Sequence, residues 1–214
     1  MQRYFALDMP ASRFARNTLV ASLLGLLPLL VLYVALTPGF AAQLAGGGSA
    51  LGRFVRQVLT NGLPVVFVVN YVGFFLFAWA VDRHPGRRGR ALVLLVDLPS
   101  RVVIFVVLHV VIYTVSADWF GSFGGSRLTA LRVVGPTLAQ SALFQNISGV
   151  FLYATMVSAL PLYMAVIERS DRIGGLPQRL PRRTVALLAA LGLFGVFAVL
   201  LTTGAKLIVR IQSG

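Results

Sequence analysis

The sequence has no cysteine and few charged residues. Cysteine is absent from all 214 residues, which excludes disulfides, thiolate metal sites and cysteine nucleophiles. Only 12% of the residues are charged, about half of the ~25% that is usual in soluble domains. Asp and Glu together number 6, so few carboxylates are left for acid–base or metal chemistry. This is not the composition of a soluble enzyme.

Apolar residues are abundant instead. They make up 57% of the chain, and the mean hydropathy is +0.85. Apolar runs of about 18 residues recur, which is the length that crosses the hydrocarbon core of a bilayer. The sequence therefore predicts an all-α polytopic membrane helix bundle, with residues 1–214 as a single membrane domain. The five predicted spans are 19–37, 64–81, 99–116, 135–166 and 184–206, and a short amphipathic helix is predicted over 51–59.

The net charge of +13 does not indicate nucleic-acid binding, because the arginines lie in short segments between the spans. Positive charge in such segments sets orientation and attracts anionic lipids. With the amino terminus inside, the cytoplasmic segments hold twelve Lys and Arg residues and the outer ones six. We expect a bacterial inner-membrane protein with a cytoplasmic amino terminus and a periplasmic carboxyl terminus. The predicted lipid-headgroup contacts are Arg83, Arg87, Arg88, Arg90, Arg179, Arg182 and Arg183.

Two parts of the sequence resemble each other in order. Asp-Met-Pro at 8–10 corresponds to Asp-Leu-Pro at 97–99, and the stretch 70–78 shares five of nine residues with 146–154. Ordered self-similarity indicates a duplication. A two-helix unit returns the chain to its starting side, so we expect two parallel copies, each entering the lipid at its proline, followed by a fifth helix. The predicted copies are 8–83 and 97–169.

Asp97 and Arg101 lie four positions apart where the third predicted span begins. A charge deep in the bilayer is costly, so it marks a candidate functional residue. The alternative places both at the interface, with Arg101 reaching the headgroups. The repeat favours this alternative, because Arg101 then corresponds to Arg13.

Several uncharged polar residues in the spans are further candidates. Asn70 and Asn146 occupy matching places in the two copies, so they could line a polar path with Gln145, or they could join helices by hydrogen bonds. His109 has no counterpart in the first copy, and we expect a packed, hydrogen-bonded residue there with a proton or ligand role as the alternative. Small and hydroxyl residues of span four predict a helix-packing seam inside the bundle. The seam residues are Thr137, Ser141, Ser148, Thr155 and Ala159.

No sequence motif of a nucleotide-binding loop, zinc protease or serine hydrolase is present, and no catalytic residue, metal site or cofactor is predicted. We expect a non-enzymatic accessory or assembly subunit of a larger membrane complex. Its expected partners are other membrane subunits and anionic lipids, with a homo-oligomer as an alternative and no nucleic acid. The second hypothesis is a small transporter or channel with a path between the copies, also lined by Tyr33 and Tyr113. The third is an intramembrane lipid-modifying enzyme that uses Asp97 or His109.

Overall fold

A computed structural model describes residues 4–84, 86–115, 127–169 and 180–213, and the regular structure in these ranges is helical, without strands. A π-helical turn, Val58–Gly62, joins the third helix to the fourth. The α-helices are α1 Ala11–Leu36, α2 Phe40–Ala45, α3 Gly48–Gln57, α4 Leu63–Arg83, α5 Arg87–Val115, α6 Arg127–Ala142, α7 Ile147–Val157, α8 Leu160–Glu168 and α9 Arg182–Ser213.

Five helical segments in the described part of the chain are long and apolar enough to cross a membrane. Their number agrees with the five predicted spans, which confirms the all-helical class and supports a multi-pass membrane protein. The fifth, Arg182–Ile211, extends beyond the predicted span at both ends. The other four are Ala11–Leu36, Gly48–Arg83, Arg90–Val115 and Ile147–Glu168.

Helix α7 lies at the centre of the fold. Every residue from Gly149 to Met156 is buried, because α1, α4, α5 and α6 all pack around this short helix. The contact with α1 is close. A Cβ atom added at Gly25 would lie 2.2 Å from Oγ of Ser158 and 2.7 Å from the carbonyl oxygen of Ala154. The small residue at position 25 therefore allows α1 to reach the central helix.

The amphipathic helix that the sequence predicts is present as α3, which buries none of its residues. The predicted end of this helix at residue 59 is wrong, because the helix continues through the π-helical turn into α4. The extra residue in this turn places Gly62 against the ring of Phe151, whose Cε1 would lie 2.2 Å from an added Cβ. A π-helical turn is a common way to accommodate such a local packing requirement.

The third span begins earlier than predicted. Pro10 directly precedes α1 as expected, but Pro99 lies inside α5, which starts at Arg87. A proline removes one hydrogen bond from a helix, and in membrane helices neighbouring groups can hydrogen-bond to the backbone carbonyl that is left without a partner. The hydroxyl of Ser100 donates to the Val96 carbonyl at 2.8 Å on the same turn. The prediction that the third helix begins at Pro99 is therefore wrong.

The long apolar stretch predicted as span four is divided into three helices. It breaks between α6 and α7, where Phe144 has a positive φ of 59°, and again before α8, whose first turn holds Pro161. The segment of span length is α7 with α8, Ile147–Glu168.

Candidate functional site

Because α5 is continuous through Pro99, Asp97 and Arg101 lie one turn apart on the same helix face. The Nε of Arg101 donates to Oδ2 of Asp97 at 2.9 Å. Arg101 is fully buried and Asp97 is 6% exposed. The Arg101 guanidinium does not extend to the surface of the bundle, so it does not reach the headgroups as the interfacial alternative expects. An ionisable pair enclosed in this way is a candidate functional site.

A third side chain reaches the pair from α8. The hydroxyl of Tyr163 donates to the same Oδ2 atom of Asp97, and Tyr163 is itself fully buried. Two donors therefore share one carboxylate oxygen, one of them a cation. Hydrogen bonds to charged groups are worth about 1.5–3 kcal/mol each, so Tyr163 ties the end of the chain's fourth span to α5.

The fourth member of the site is Asn70 of α4. Its Oδ1 accepts from Nη1 of Arg101 at 2.7 Å, and its Nδ2 donates to the Ser22 hydroxyl of α1 at 2.9 Å. A guanidinium only donates, so the amide oxygen must face Arg101 and the amide nitrogen is left for Ser22. Ser22 in turn donates to the Thr18 carbonyl at 2.8 Å. We call Ser22, Asn70, Asp97, Arg101 and Tyr163 the buried polar network.

Two neighbours on α4 shape the space around the guanidinium. The Cζ of Arg101 lies 4.5 Å from the centre of the Phe74 ring, which is within the range of cation–π attraction. At Gly73 an added Cβ would lie 2.9 Å from the same Cζ atom. The guanidinium can lie against α4 because position 73 has no side chain. A main-chain acceptor on α7, the Thr155 carbonyl, is 3.3 Å from Nη1.

One atom of the network has no partner. In the described part of the chain, Nη2 of Arg101 is the one buried side-chain nitrogen or oxygen atom that forms no hydrogen bond. A buried unpaired donor costs about 1–3 kcal/mol. The remaining contacts join α1, α4, α5, α7 and α8. Because α7 and α8 together form the fourth span-length segment, the network connects the first four of the five segments. Chemically it offers a neutralised ion pair, held by hydrogen bonds, that fixes the relative positions of these helices.

His109 lies two turns beyond Arg101 on α5. It is 6% exposed, its Nδ1 is 2.9 Å from the Phe105 carbonyl, and its ring centre lies 4.0 Å from that of Phe105. This agrees with the predicted packed, hydrogen-bonded residue. Within the described ranges no group of three or more potential metal-ligating side chains occurs.

The two asparagines do not occupy equivalent positions. Asn70 lies inside α4, whereas Asn146 is the N-cap of α7, where its Oδ1 accepts from the Gly149 amide and the Ser141 hydroxyl, both at 3.0 Å. The expectation of matching places in the two copies is therefore wrong. The reason is that α7 begins at Ile147, whereas the helical segment of α4 extends well ahead of Asn70. Gln145 is exposed, and the three amides do not form one path.

The predicted seam of span four lies inside the bundle but is not continuous. The break before α7 puts Thr137 and Ser141 on α6, whereas Ser148 and Thr155 lie on α7. Ser141, Thr155 and Ala159 are buried, and Thr137 and Ser148 are half-buried. These residues pack inside the bundle as predicted, although they are divided among α6, α7 and the N-cap of α8, which is Ala159.

Those predicted headgroup arginines whose side chains the structure describes lie near the ends of helices. Arg83 is exposed, and its Cζ lies 4.8 Å from the centre of the Trp79 ring. Arg183 at the start of α9 has its Nε 3.5 Å from Oε1 of Glu168. Arg90 is half-buried and Arg182 is exposed. Arg179 and the side chains of Arg87 and Arg88 lie outside the described residues.

Sequence reasoning missed three members of the site environment: Ser22, Gly73 and Tyr163. Thr18, Ser22 and Gly25 follow each other at helical spacing in span one, and this stripe could have indicated a packed face. No local pattern marks Tyr163, which is 66 positions from Asp97. Comparison with known proteins adds nothing to the site, since no protein-family model matches the chain and searches of curated proteins and solved structures find no similar protein.

Proposed function

We propose that this chain is a non-enzymatic subunit of a larger membrane complex, acting by helix packing in an accessory or assembly role. The observation that carries the proposal is the contrast between its interior and α9. The polar groups of the interior hydrogen-bond to one another, so they serve packing. Among the described residues, helix α9 instead touches the rest of the bundle along one face.

The packed face of α9 contacts α8 and α6 and buries Ala186, Ala190 and Ala205. The exposed surface of α9 carries small residues between branched ones. Gly192 and Gly204 would place a Cβ atom in open space. Small residues let the backbone of another helix approach closely, which supports α9 as the contact surface for a partner subunit.

The absence of native cysteine permits a direct test. Single cysteines at Val196 and Leu200, which are 62% and 65% exposed on α9, would be compared with Leu24 on α1, which is 69% exposed. We expect disulfide or thiol crosslinks in native membranes from the two α9 positions to one polypeptide of fixed mass, copurified in stoichiometric amount. The Leu24 variant is the control. Equal crosslinking from all three positions, or a chain that purifies alone, would contradict the proposal.

We also propose the bacterial inner membrane as the location, with the amino terminus in the cytoplasm, and two parallel copies of a two-helix unit. The arginine distribution supports the orientation. Gly86→Cys and Leu180→Cys should react with a membrane-impermeant thiol reagent only when the cytoplasmic face is open. Ser49→Cys should react from the opposite side. All three positions are exposed, and reaction of Gly86→Cys and Leu180→Cys from different sides would exclude parallel copies.

The transporter hypothesis receives less support. It requires Asn70 to face a water-filled path, whereas this residue is fully buried and hydrogen-bonded to Ser22 and Arg101. The enzyme hypothesis requires Asp97 or His109 in an open cavity, and each is 6% exposed. A transporter should purify without partners and be stabilised by its substrate, so the crosslinking test also separates these functions.

A further inference from the structure

A cavity lies at the end of the bundle where α1 begins, α4 ends and α5 begins. Its volume is about 610 Å³, within the range of roughly 300–1,000 Å³ that small-molecule sites occupy. The segment before α1 contributes Phe5 and Asp8, and the last turns of α4 contribute Phe77 and Asp82. The cavity is independent of the buried polar network, none of whose members lines it.

The walls of the cavity divide into an apolar part and a charged part. Phe77 and Leu162 are buried apolar side chains. Asp8 and Asp82 are exposed and Arg90 is half-buried. None of the side chains of these three charged residues forms a hydrogen bond or ion pair with another described residue. The site therefore presents two carboxylates and one guanidinium, without partners among the described residues, beside an apolar surface.

The position along α4 indicates what kind of molecule reaches this cavity. Trp79 is 43% exposed and lies under the guanidinium of Arg83, on the outer side of the last turns of α4. Exposed tryptophan with arginine is characteristic of the level of the lipid headgroups. The cavity residues Ala78, Val81 and Asp82 belong to these turns, so the cavity opens where headgroups lie.

We propose that this cavity binds one phospholipid whose headgroup carries a primary ammonium group. Two carboxylates and one guanidinium are complementary to a zwitterion: the ammonium group pairs with Asp8 and Asp82, and the phosphate pairs with Arg90. Charge-assisted hydrogen bonds of this kind are the strong ones. An acyl chain lies against Phe77 and Leu162. An anionic headgroup without an ammonium group would leave Asp8 and Asp82 without a cationic partner, and a quaternary ammonium has no N–H to donate.

The test uses native mass spectrometry of the full, delipidated chain in detergent, titrated with dioleoyl phosphatidylethanolamine, phosphatidylglycerol or phosphatidylcholine. We expect phosphatidylethanolamine to bind at least about tenfold more tightly than phosphatidylcholine, the effect of losing hydrogen bonds to a charged group. Phosphoethanolamine and inorganic phosphate, tested alone, distinguish a lipid from a free phosphate compound. Equal binding of all three lipids, or binding of either soluble compound as tight as that of the lipid, would overturn the proposal.

Charge variants sharpen the test. Arg90→Gln should weaken binding of phosphatidylethanolamine by at least about tenfold, and Arg90→Lys should restore part of it. The double variant Asp8→Asn and Asp82→Asn leaves a positive site and should reverse the preference toward phosphatidylglycerol. Arg83→Gln is the matched control, because it removes the same charge at the same level outside the cavity. An equal loss for Arg83→Gln and Arg90→Gln would show general surface attraction and refute the site.

Steric filling provides a readout that does not depend on charge. Ala78→Trp should exclude the lipid, whereas Trp replacement of Leu76, an exposed residue of α4 outside the cavity, should not. Thermal unfolding without lipid shows which variants are folded, and the smaller Ala78→Leu change serves as the filling variant if Ala78→Trp is not folded. Unchanged lipid binding by a folded Ala78→Trp variant would overturn the assignment.

Discussion

Removal of the Asp97 carboxylate is the perturbation for which the structure makes the sharpest prediction. In Asp97→Ala the buried guanidinium of Arg101 would keep only two neutral acceptors, Oδ1 of Asn70 and the Thr155 carbonyl. Removing one partner of a buried ion pair costs about 3–5 kcal/mol, because the remaining charge is uncompensated. We expect a loss of this size in the free energy of unfolding, measured by denaturant titration of the purified chain in micelles.

A comparison of variants separates charge from packing. Tyr163→Phe removes one hydrogen bond to a carboxylate and should cost about 1.5–3 kcal/mol. The triple variant Asp97→Leu, Arg101→Met and Tyr163→Phe removes the charges together and leaves Oδ1 of Asn70 unpaired, which costs about 1–3 kcal/mol. It should therefore be more stable than Asp97→Ala alone. A folded Asp97→Ala protein that loses less than about 1 kcal/mol would refute the argument, as would a triple variant less stable than Asp97→Ala.

Three further predictions concern close packing, and each is measured by the same unfolding experiment. Gly25→Ala places a methyl group into the contact with α7 and should cost about 1–3 kcal/mol, whereas Gly192→Ala, into open space, should not destabilise the protein; equal losses would contradict the contact. Gly62→Ala should cost a similar amount through its clash with Phe151, and a neutral result would mean that the ring moves freely. Phe74→Leu removes a desolvated cation–π contact together with the packing of the Phe74 ring on Phe5, and the cation–π share, about 2 kcal/mol, should disappear from the loss when Arg101 is already Met.

The number of span-length helices could be predicted from sequence because it depends on local composition. Apolar runs long enough to cross a bilayer are readable one at a time, and the amphipathic spacing of α3 is equally local. The end points were less predictable. Pro99 and the pair Asn61 and Gly62 are helix-breaking signals in isolation, yet the surrounding packing keeps both segments helical.

The site was predicted only in part for the same reason. Asp97 and Arg101 were identifiable because their charge is unusual in an apolar sequence and their spacing of four fits one helix face. Their burial depends on partners far away in the chain, Asn70 at 31 positions and Tyr163 at 66 positions. Contacts over such separations are set by how whole helices pack. The resemblance of Asn146 to Asn70 was misleading because α7 starts at a different point relative to its asparagine.

The contact between Gly73 and Arg101 has a consequence for natural variation. The guanidinium occupies the volume that any side chain at position 73 would need, so the two positions constrain each other. A relative of this protein that keeps the arginine should keep glycine at 73. A relative with a shorter residue at 101 is free to carry alanine or a larger residue there. Paired substitution at these two positions would therefore record, in sequences alone, whether the buried charge has been retained.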